Sequence, residues 1–356
     1  MEDALVALLP EAYPQFQGGS LTLIPFGEGL IHQTYLVRQG GKQWILQGFN
    51  ETVFTYPQRI EHNLALLSDR VRLRPLPFTL PLPLSNVQGK GLSLLQGKKY
   101  RLFEFVEGKT LQGISSLPQA RLAAQAYGTF ASWAQELPVE AFQETILNFH
   151  RLDLRFARLQ EVASTSSKLS IEVEGLLHLY LEQAPLVTWY TDLLPILPQR
   201  VTHNDTKINN LIFSSDLNRV EAVVDLDTLM GGYLLYDLGD LVRTVACSLP
   251  ETSTQWQDVR AIPEVVQTLI LGYWEGLSGA ISPQETASLP YAGEVMTLIM
   301  GLRFLTDYLE GNVYYRVTYE DQNLHRAKNQ MALLQSLQSQ REHFQHTIQK
   351  LTPGVR

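Results

Sequence analysis

Between His203 and Asp227 the chain reads His-Asn-Asp-Thr-Lys-Ile-Asn-Asn-Leu-Ile-Phe-Ser-Ser-Asp-Leu-Asn-Arg-Val-Glu-Ala-Val-Val-Asp-Leu-Asp, and no other stretch constrains the fold as tightly. Two short apolar runs, Leu211 to Phe213 and Val220 to Val224, flank the polar turn Ser214 to Asn218, which predicts a small hairpin. Its polar ends carry Asp205, Lys207 and Asn210 on one side and Asp225 and Asp227 on the other. Taken singly, each has an ordinary explanation. Aspartates beside strand ends commonly serve turns and caps, and lysines are commonly solvated. Two carboxylates, an amide and a cation at these separations on linked strands are far harder to obtain by chance. Phosphoryl transfer from ATP needs this combination: a carboxylate beside the acceptor hydroxyl, oxygen ligands for Mg2+, and a cation near the transferred phosphate.

The rest of the composition narrows the partners. At 356 residues the chain exceeds a usual single domain and predicts two lobes. It carries 28 basic against 36 acidic residues, a formal net charge of -8, so a long polyanion meets overall repulsion and nucleic acid is not expected as a partner. The short cluster Lys98, Lys99 and Arg101 reads as a solvated hairpin. One cysteine, Cys247, leaves no intramolecular disulfide. No apolar run approaches the ~20 residues of a membrane span, and no basic-then-apolar leader follows Met1, so a cytoplasmic protein is expected.

Along the chain, an N-terminal helix precedes three strand-like runs, Leu21 to Phe26, Thr34 to Arg38 and Gln43 to Gln47. Gln58 to Leu67 reads as a helix, and the proline-rich residues 74 to 83 cannot continue it. A further strand runs through Tyr100-Arg-Leu-Phe-Glu-Phe-Val-Glu-Gly108. The remainder is largely helical, with apolar stripes at Leu122, Ala126, Phe130 and Trp133, at Val295, Leu298, Leu302, Leu305 and Leu309, and along one long C-terminal helix from Leu324 to Ile348.

The order H-x-D-x-K-x-x-N, followed by an acidic residue after a further strand, has the spacing of a protein-kinase catalytic loop and its metal aspartate. It resembles the aminoglycoside phosphotransferase and choline kinase-like superfamily. Within that superfamily, Val201-Thr-His-Asn-Asp-Thr-Lys-Ile-Asn-Asn210, Val224-Asp-Leu-Asp-Thr228 and Tyr236-Asp-Leu-Gly-Asp240 look like the N-acetylhexosamine 1-kinases. The resemblance implies an α+β, bilobal protein-kinase-like fold, with an antiparallel-sheet N-lobe over residues 1–103 and a mainly helical C-lobe over 104–356. It further implies an ATP- and Mg2+-dependent kinase whose acceptor is the anomeric hydroxyl of an N-acetylhexosamine or related sugar.

By the same resemblance, Asp205 orients and deprotonates the acceptor and Lys207 reaches the γ-phosphate. Asn210 and Asp225 hold Mg2+, with Asp227 a second ligand or a loop-stabilising acceptor. Gly27 and Gly29 lie in the nucleotide-covering loop, Gln47 stands where protein kinases place a third-strand lysine, and Glu104, Phe105 and Val106 form the hinge to adenine. His32, Arg303 and Tyr314 are the implied sugar contacts. The family commonly reads G-H-I-N where this chain has Gly29-Leu30-Ile31-His32. Arg303 and Asp307 read equally well as an exposed i,i+4 pair. His203 is expected to hold the loop, Asp237 to cap the helix after it, and Asn148-Phe-His150 to serve as a cap and core contact. Two alternatives stand beside the sugar kinase. One keeps the mechanism with an amino alcohol, a homoserine-like compound or an aminoglycoside as acceptor. The other, motivated by Gln47, is a catalytically weak nucleotide-binding regulatory module.

Overall fold

The structure, a computed structural model, describes residues 2–27, 32–166 and 169–351. The described residues form two compact units, one made of residues 1–109, 140–146 and 212–229, the other of 110–139, 147–211 and 230–356. The first is a small antiparallel sheet with few helices, the second mainly helical, so the fold class is mixed α+β.

In the first unit, helix α1 (Glu2–Ala12) precedes strands β1 (Thr22–Pro25), β2 (Gln33–Gln39) and β3 (Lys42–Gly48), helix α2 (Pro57–Leu73), and strands β4 (Ser93–Leu95) and β5 (Lys98–Glu104). The strands pair antiparallel in the order β1-β2-β3-β5-β4. Strand periodicity sends alternate residues to opposite faces. One face, with Tyr35, Val37, Leu46, Tyr100 and Leu102, packs on Leu5, Leu9, Tyr13 and Phe16. Gln47 and Arg101, directly paired across β3 and β5, fall on the opposite face. Arg101 is therefore not the solvated hairpin residue that the sequence suggests: only 3% of it is exposed, while Lys98, at the strand end, does face solvent.

The expected hairpin is present as strands Leu211–Phe213 and Val220–Val223. The proline-rich segment runs alongside it, with Thr79 N–H donating to the Glu221 carbonyl and Val223 N–H donating to the Thr79 carbonyl.

The second unit is built on α3 (Leu117–Ala134), α4 (Leu152–Thr165) and the helices Leu234–Val245, Pro263–Leu277, Ala292–Glu310 and Gln322–Ser339. Helix α3 crosses Pro263–Leu277 at backbone contact. A Cβ on Gly128 would lie 2.3 Å from the Tyr273 carbonyl oxygen, and one on Gly276 would lie 2.3 Å from that of Gln125. Glycine is the residue type that admits this approach.

The C-terminal helix differs from expectation. It breaks at Gln340 into Gln322–Ser339 and Arg341–Leu351. Gln340 donates from its side-chain amide to the Ala261 carbonyl and the Ser336 hydroxyl, and Arg341 forms a two-pronged ion pair with buried Glu294. These tertiary bonds hold the two segments separately, which a single-helix apolar stripe does not reveal. Among the described residues, no helix is long and apolar enough to cross a membrane.

Candidate phosphotransfer site

In the second unit, short strand Arg200–Thr202 pairs with Met230–Gly232 and delivers the chain into the His203–Asn210 segment. Asn204 follows in the left-handed region at φ +64, a conformation that asparagine tolerates better than most residues. Its amide bonds within the turn, to Thr202. A Cβ on Gly232 would sit 2.2 Å from Thr202 Oγ1 and 2.9 Å from Asn204 Oδ1, so the strand opposite the turn needs glycine.

Asp237 fixes this turn from below. Its carboxylate accepts the backbone N–H groups of His203 (3.1 Å) and Asn204 (2.8 Å), and its carbonyl accepts from Thr206 Oγ1. This corrects its expected role, because its helix already begins at Leu234 and Asp237 lies inside the first turn, serving the loop rather than capping its own helix. Burial pushes the Asp237 carboxyl up to about 6, only partly opposed by the nearby His203 and the two N–H donors. His203 is fully buried against Tyr127 and Phe130 and accepts the Asp205 N–H at Nδ1.

Asp205, Lys207 and Asn210 converge. Lys207 Nζ lies 2.7 Å from Asp205 Oδ1, and Asn210 Nδ2 donates to Asp205 Oδ2 (3.0 Å) and to its carbonyl (2.8 Å). Burial pushes the Asp205 carboxyl up, but Lys207, His203 and Asn210 outweigh it and keep it below its ordinary value. Burial likewise opposes the Lys207 charge, and Asp205 and Asp240 more than restore it, raising Lys207 above the ordinary lysine value. The Lys207 side chain still keeps 41% exposure, so the pair is open to solvent on one side. With its N–H directed at Asp205, Asn210 leaves its amide oxygen as a donor for a hard cation.

In the first unit, Asp227, His32, Gln47 and Arg101 form one network. Arg101 grips both Asp227 oxygens, at 2.5 and 2.6 Å, and donates from Nε and Nη2 to Gln47 Oε1 at 2.8 and 2.6 Å. His32 Nδ1 accepts the Asn50 N–H at 3.1 Å, which assigns the proton to Nε2, and Nε2 then donates to Asp227 at 2.8 Å. Phe54 stacks on the His32 ring. Burial pushes the Asp227 carboxyl up, but Arg101 and His32 hold it far below the usual carboxylate range. Asp225, two residues earlier, is exposed and left-handed at φ +60, ψ +57. Gly27 is exposed at φ +77, and its neighbour Phe26 makes an edge contact with Phe105 beyond β5. Glu104 ends β5 opposite Trp44, with Val106 two residues on. Gly29 and Leu30 lie outside the described residues.

Arg303 and Tyr314 also come together, in the second unit. The Arg303 guanidinium lies over the rings of Phe149, Tyr314 and Tyr315 at 5.1 to 5.4 Å. Asp307 is no partner to it. That carboxylate accepts the backbone N–H groups of Tyr314 and Tyr315 and the Asn323 amide, so the i,i+4 pair suggested by spacing does not form. His150, beside Phe149, accepts nothing at Nδ1 and bonds the Asn204 carbonyl through Nε2, next to Asp205. Burial lowers it to about 4, so it is neutral near pH 7.

A small antiparallel-sheet unit, a helical unit and this loop order define the kinase-like class of phosphotransferases. The profile described as the phosphotransferase enzyme family matches residues 22–273, well over half of the sequence, and the chain belongs to that family. Among solved structures, the GDP complex of wild-type aminoglycoside 2'-phosphotransferase-IIIa matches with a TM-score of 0.63 at 14% identity, covering 93% of this chain and 98% of that one. An aminoglycoside phosphotransferase from Alicyclobacillus acidocaldarius matches at 0.61 and 14%, covering 90% and 92%. The microcompartment-associated aminopropanol kinase matches at 0.57 and 17%, covering 97% and 98%. At these identities the likeness speaks for the fold.

Proposed function

We propose that the protein transfers the γ-phosphate of ATP to a hydroxyl of a small molecule, the favoured acceptor being the anomeric hydroxyl of an N-acetylhexosamine or related sugar. The observation that carries the reading is the Asp205 carboxylate held between an ammonium at 2.7 Å and an amide N–H at 3.0 Å. In the proposed reaction Asp205 orients the acceptor hydroxyl and takes its proton. The hydroxyl oxygen bonds to the γ-phosphorus as the bridging bond to the β-phosphate breaks, and ADP leaves. Because the transition state is loose, positioning matters more than base strength, so a carboxylate below its ordinary pKa suffices. Lys207 turns from Asp205 to the phosphoryl oxygens when nucleotide arrives.

Asn210 and Asp225 are the proposed oxygen donors for Mg2+, and both offer the ligand type that this cation prefers. Mg2+ supplies charge neutralisation at the β- and γ-phosphate oxygens when bound. Glu104 to Val106, Gly27, Gly29 and Gln47 are proposed for the nucleotide, and Arg303, Tyr314 and His32 for the acceptor. The structural likeness to the aminopropanol kinase and the aminoglycoside enzymes keeps amino alcohols and aminoglycosides as the second reading.

The experiment is an ADP-release assay with ATP and Mg2+ against N-acetylglucosamine, N-acetylgalactosamine, 1-amino-2-propanol and an aminoglycoside, with phosphorus NMR of any product. Phosphate coupled to an anomeric proton supports the sugar reading. Turnover confined to the amines replaces it, and tight ATP binding without turnover on any acceptor favours the regulatory module.

A further inference from the structure

The described second unit holds two guanidinium groups with almost nothing to bond. Arg303 donates only to the thioether of Met300, at 3.5 Å, and Arg155 reaches only the Asn148 and Phe149 carbonyls, both at 3.3 Å, leaving its Nε buried without a partner. Neither makes an ion pair with a carboxylate among the described residues. They converge on Phe149, Arg303 over its ring and Arg155 on its carbonyl. Burial and the positive charge of Arg303 both lower the Arg155 pKa, which marks two like charges held close together.

Neighbouring acids do not offset them. Asp205 is taken by Lys207, Asp240 by Arg243, Asp307 by backbone and amide N–H groups, and Glu310 by Arg158. Two further buried polar atoms in the same cluster are unsatisfied, the Tyr315 hydroxyl and His150 Nδ1. Native proteins seldom leave buried donors unpaired, and a guanidinium fork fits a carboxylate or phosphate through two parallel bonds. In a chain of net charge -8, this is an unusual place to concentrate uncompensated positive charge.

We infer that Arg303 and Arg155, with the Tyr315 hydroxyl, bind an anionic substituent, carboxylate or phosphate, on the acceptor whose hydroxyl Asp205 activates. The link to Asp205 is direct through the chain: Asn204 O bonds His150, whose ring contacts Phe149 at 4.1 Å. This inference rests on the phosphotransfer reading and makes it more specific, since the preferred acceptor becomes an acidic derivative of a hydroxyl compound instead of a neutral or cationic one.

The test compares N-acetylglucosamine with its 6-carboxylate, the neutral methyl ester of that acid, and N-acetylglucosamine 6-phosphate. Each is titrated calorimetrically without nucleotide and assayed for turnover with ATP and Mg2+. The expected result is at least tenfold tighter binding of one or both anions than of the neutral pair, with the carboxylate and phosphate arms identifying the group. Arg303→Gln, and separately Arg155→Gln, should each collapse that ratio at least fivefold. Equal affinity for neutral and anionic compounds, or a variant that weakens all of them alike, would overturn the inference. Turnover of the neutral sugar with no preference for the anion overturns the inference alone. Anion binding that depends on Arg303 without turnover of any acceptor leaves the inference standing and removes the phosphotransfer reading.

Discussion

Two polar clusters, one in each unit, handle buried charge in opposite ways. Around Asp227 every strong donor and acceptor is matched: both carboxylate oxygens meet Arg101, His32 uses both ring nitrogens, and Gln47 takes the remaining guanidinium N–H groups. Around Phe149 the opposite holds, with Arg155, Tyr315 and His150 carrying unsatisfied atoms. A saturated cluster holds shape, because breaking it strands a buried charge. An unsaturated one is suited to a ligand, because binding supplies the missing partners. The difference separates residues that sustain the fold from residues available for chemistry, although both sets contain buried arginine and histidine.

The largest expected effect lies at the catalytic segment. Asp205→Asn removes the proton acceptor while keeping the size of the side chain, and kcat should fall by about 10² to 10⁴, the usual range for a positioned base. Its melting temperature should change little, which scanning calorimetry would check. A drop in stability large enough to account for the lost activity would move Asp205 into the saturated class.

Next comes Arg101→Met, which leaves Asp227 buried with only His32 beside it. Denaturant unfolding should show a loss of about 3 to 5 kcal/mol, as expected for a buried pair broken on one side. The contrasting Arg303→Gln should cost no more than about 1 kcal/mol, the order of one partly exposed cation–π contact. Comparable losses at the two arginines would erase the contrast between the clusters.

A third effect is pH-dependent and concerns Asp237. Its folded-state value is about 6 against an ordinary 3.8, so between those pH values the folded protein holds a proton that the unfolded chain has released. Stability from this group is full below about pH 3.8 and is lost as pH rises through about 6, a change on the order of 3 kcal/mol. Asp227 has the opposite sign, since its depressed value contributes stability above the ordinary carboxylate pKa that is lost on acidification. Asp237→Asn should flatten the wild-type slope between pH 4 and 6 in unfolding titrations; an unaltered slope there would assign that window to other groups.

The smallest effect belongs to Gly232→Ala. The added Cβ would overlap Thr202 Oγ1 at 2.2 Å, so the strand must shift, at a cost of about 1 to 3 kcal/mol. Because this strand backs the Asn204 turn, KM and kcat should both change in steady-state assays, whereas an equivalent clash far from the loop would alter stability alone.

What could be read from the sequence was local. The hairpin and the grouping of Asp205, Lys207 and Asn210 follow from a few consecutive residues, where turn chemistry and alternation suffice. Arg101 was hidden because its partners Gln47 and Asp227 lie 54 and 126 residues away, and only the β3–β5 register puts Gln47 opposite it. A faint signal existed, since both are polar residues in otherwise apolar strand centres. Asp237 misled because an acidic residue near a helix start satisfies the cap pattern whether it serves its own helix or a loop 33 residues upstream. The Arg303–Asp307 spacing misled similarly: i,i+4 geometry permits a pair, but the N–H groups of Tyr314 and Tyr315 claim the carboxylate.

The central claim is that Asp205 activates an acceptor hydroxyl for phosphoryl transfer. It is tested most directly by measuring acceptor-dependent ADP release from ATP and Mg2+ with the wild-type protein and Asp205→Asn side by side. The account predicts release that requires the acceptor and falls at least a hundredfold in the variant, with ATP affinity retained. Equal acceptor-dependent rates in the two proteins would contradict it.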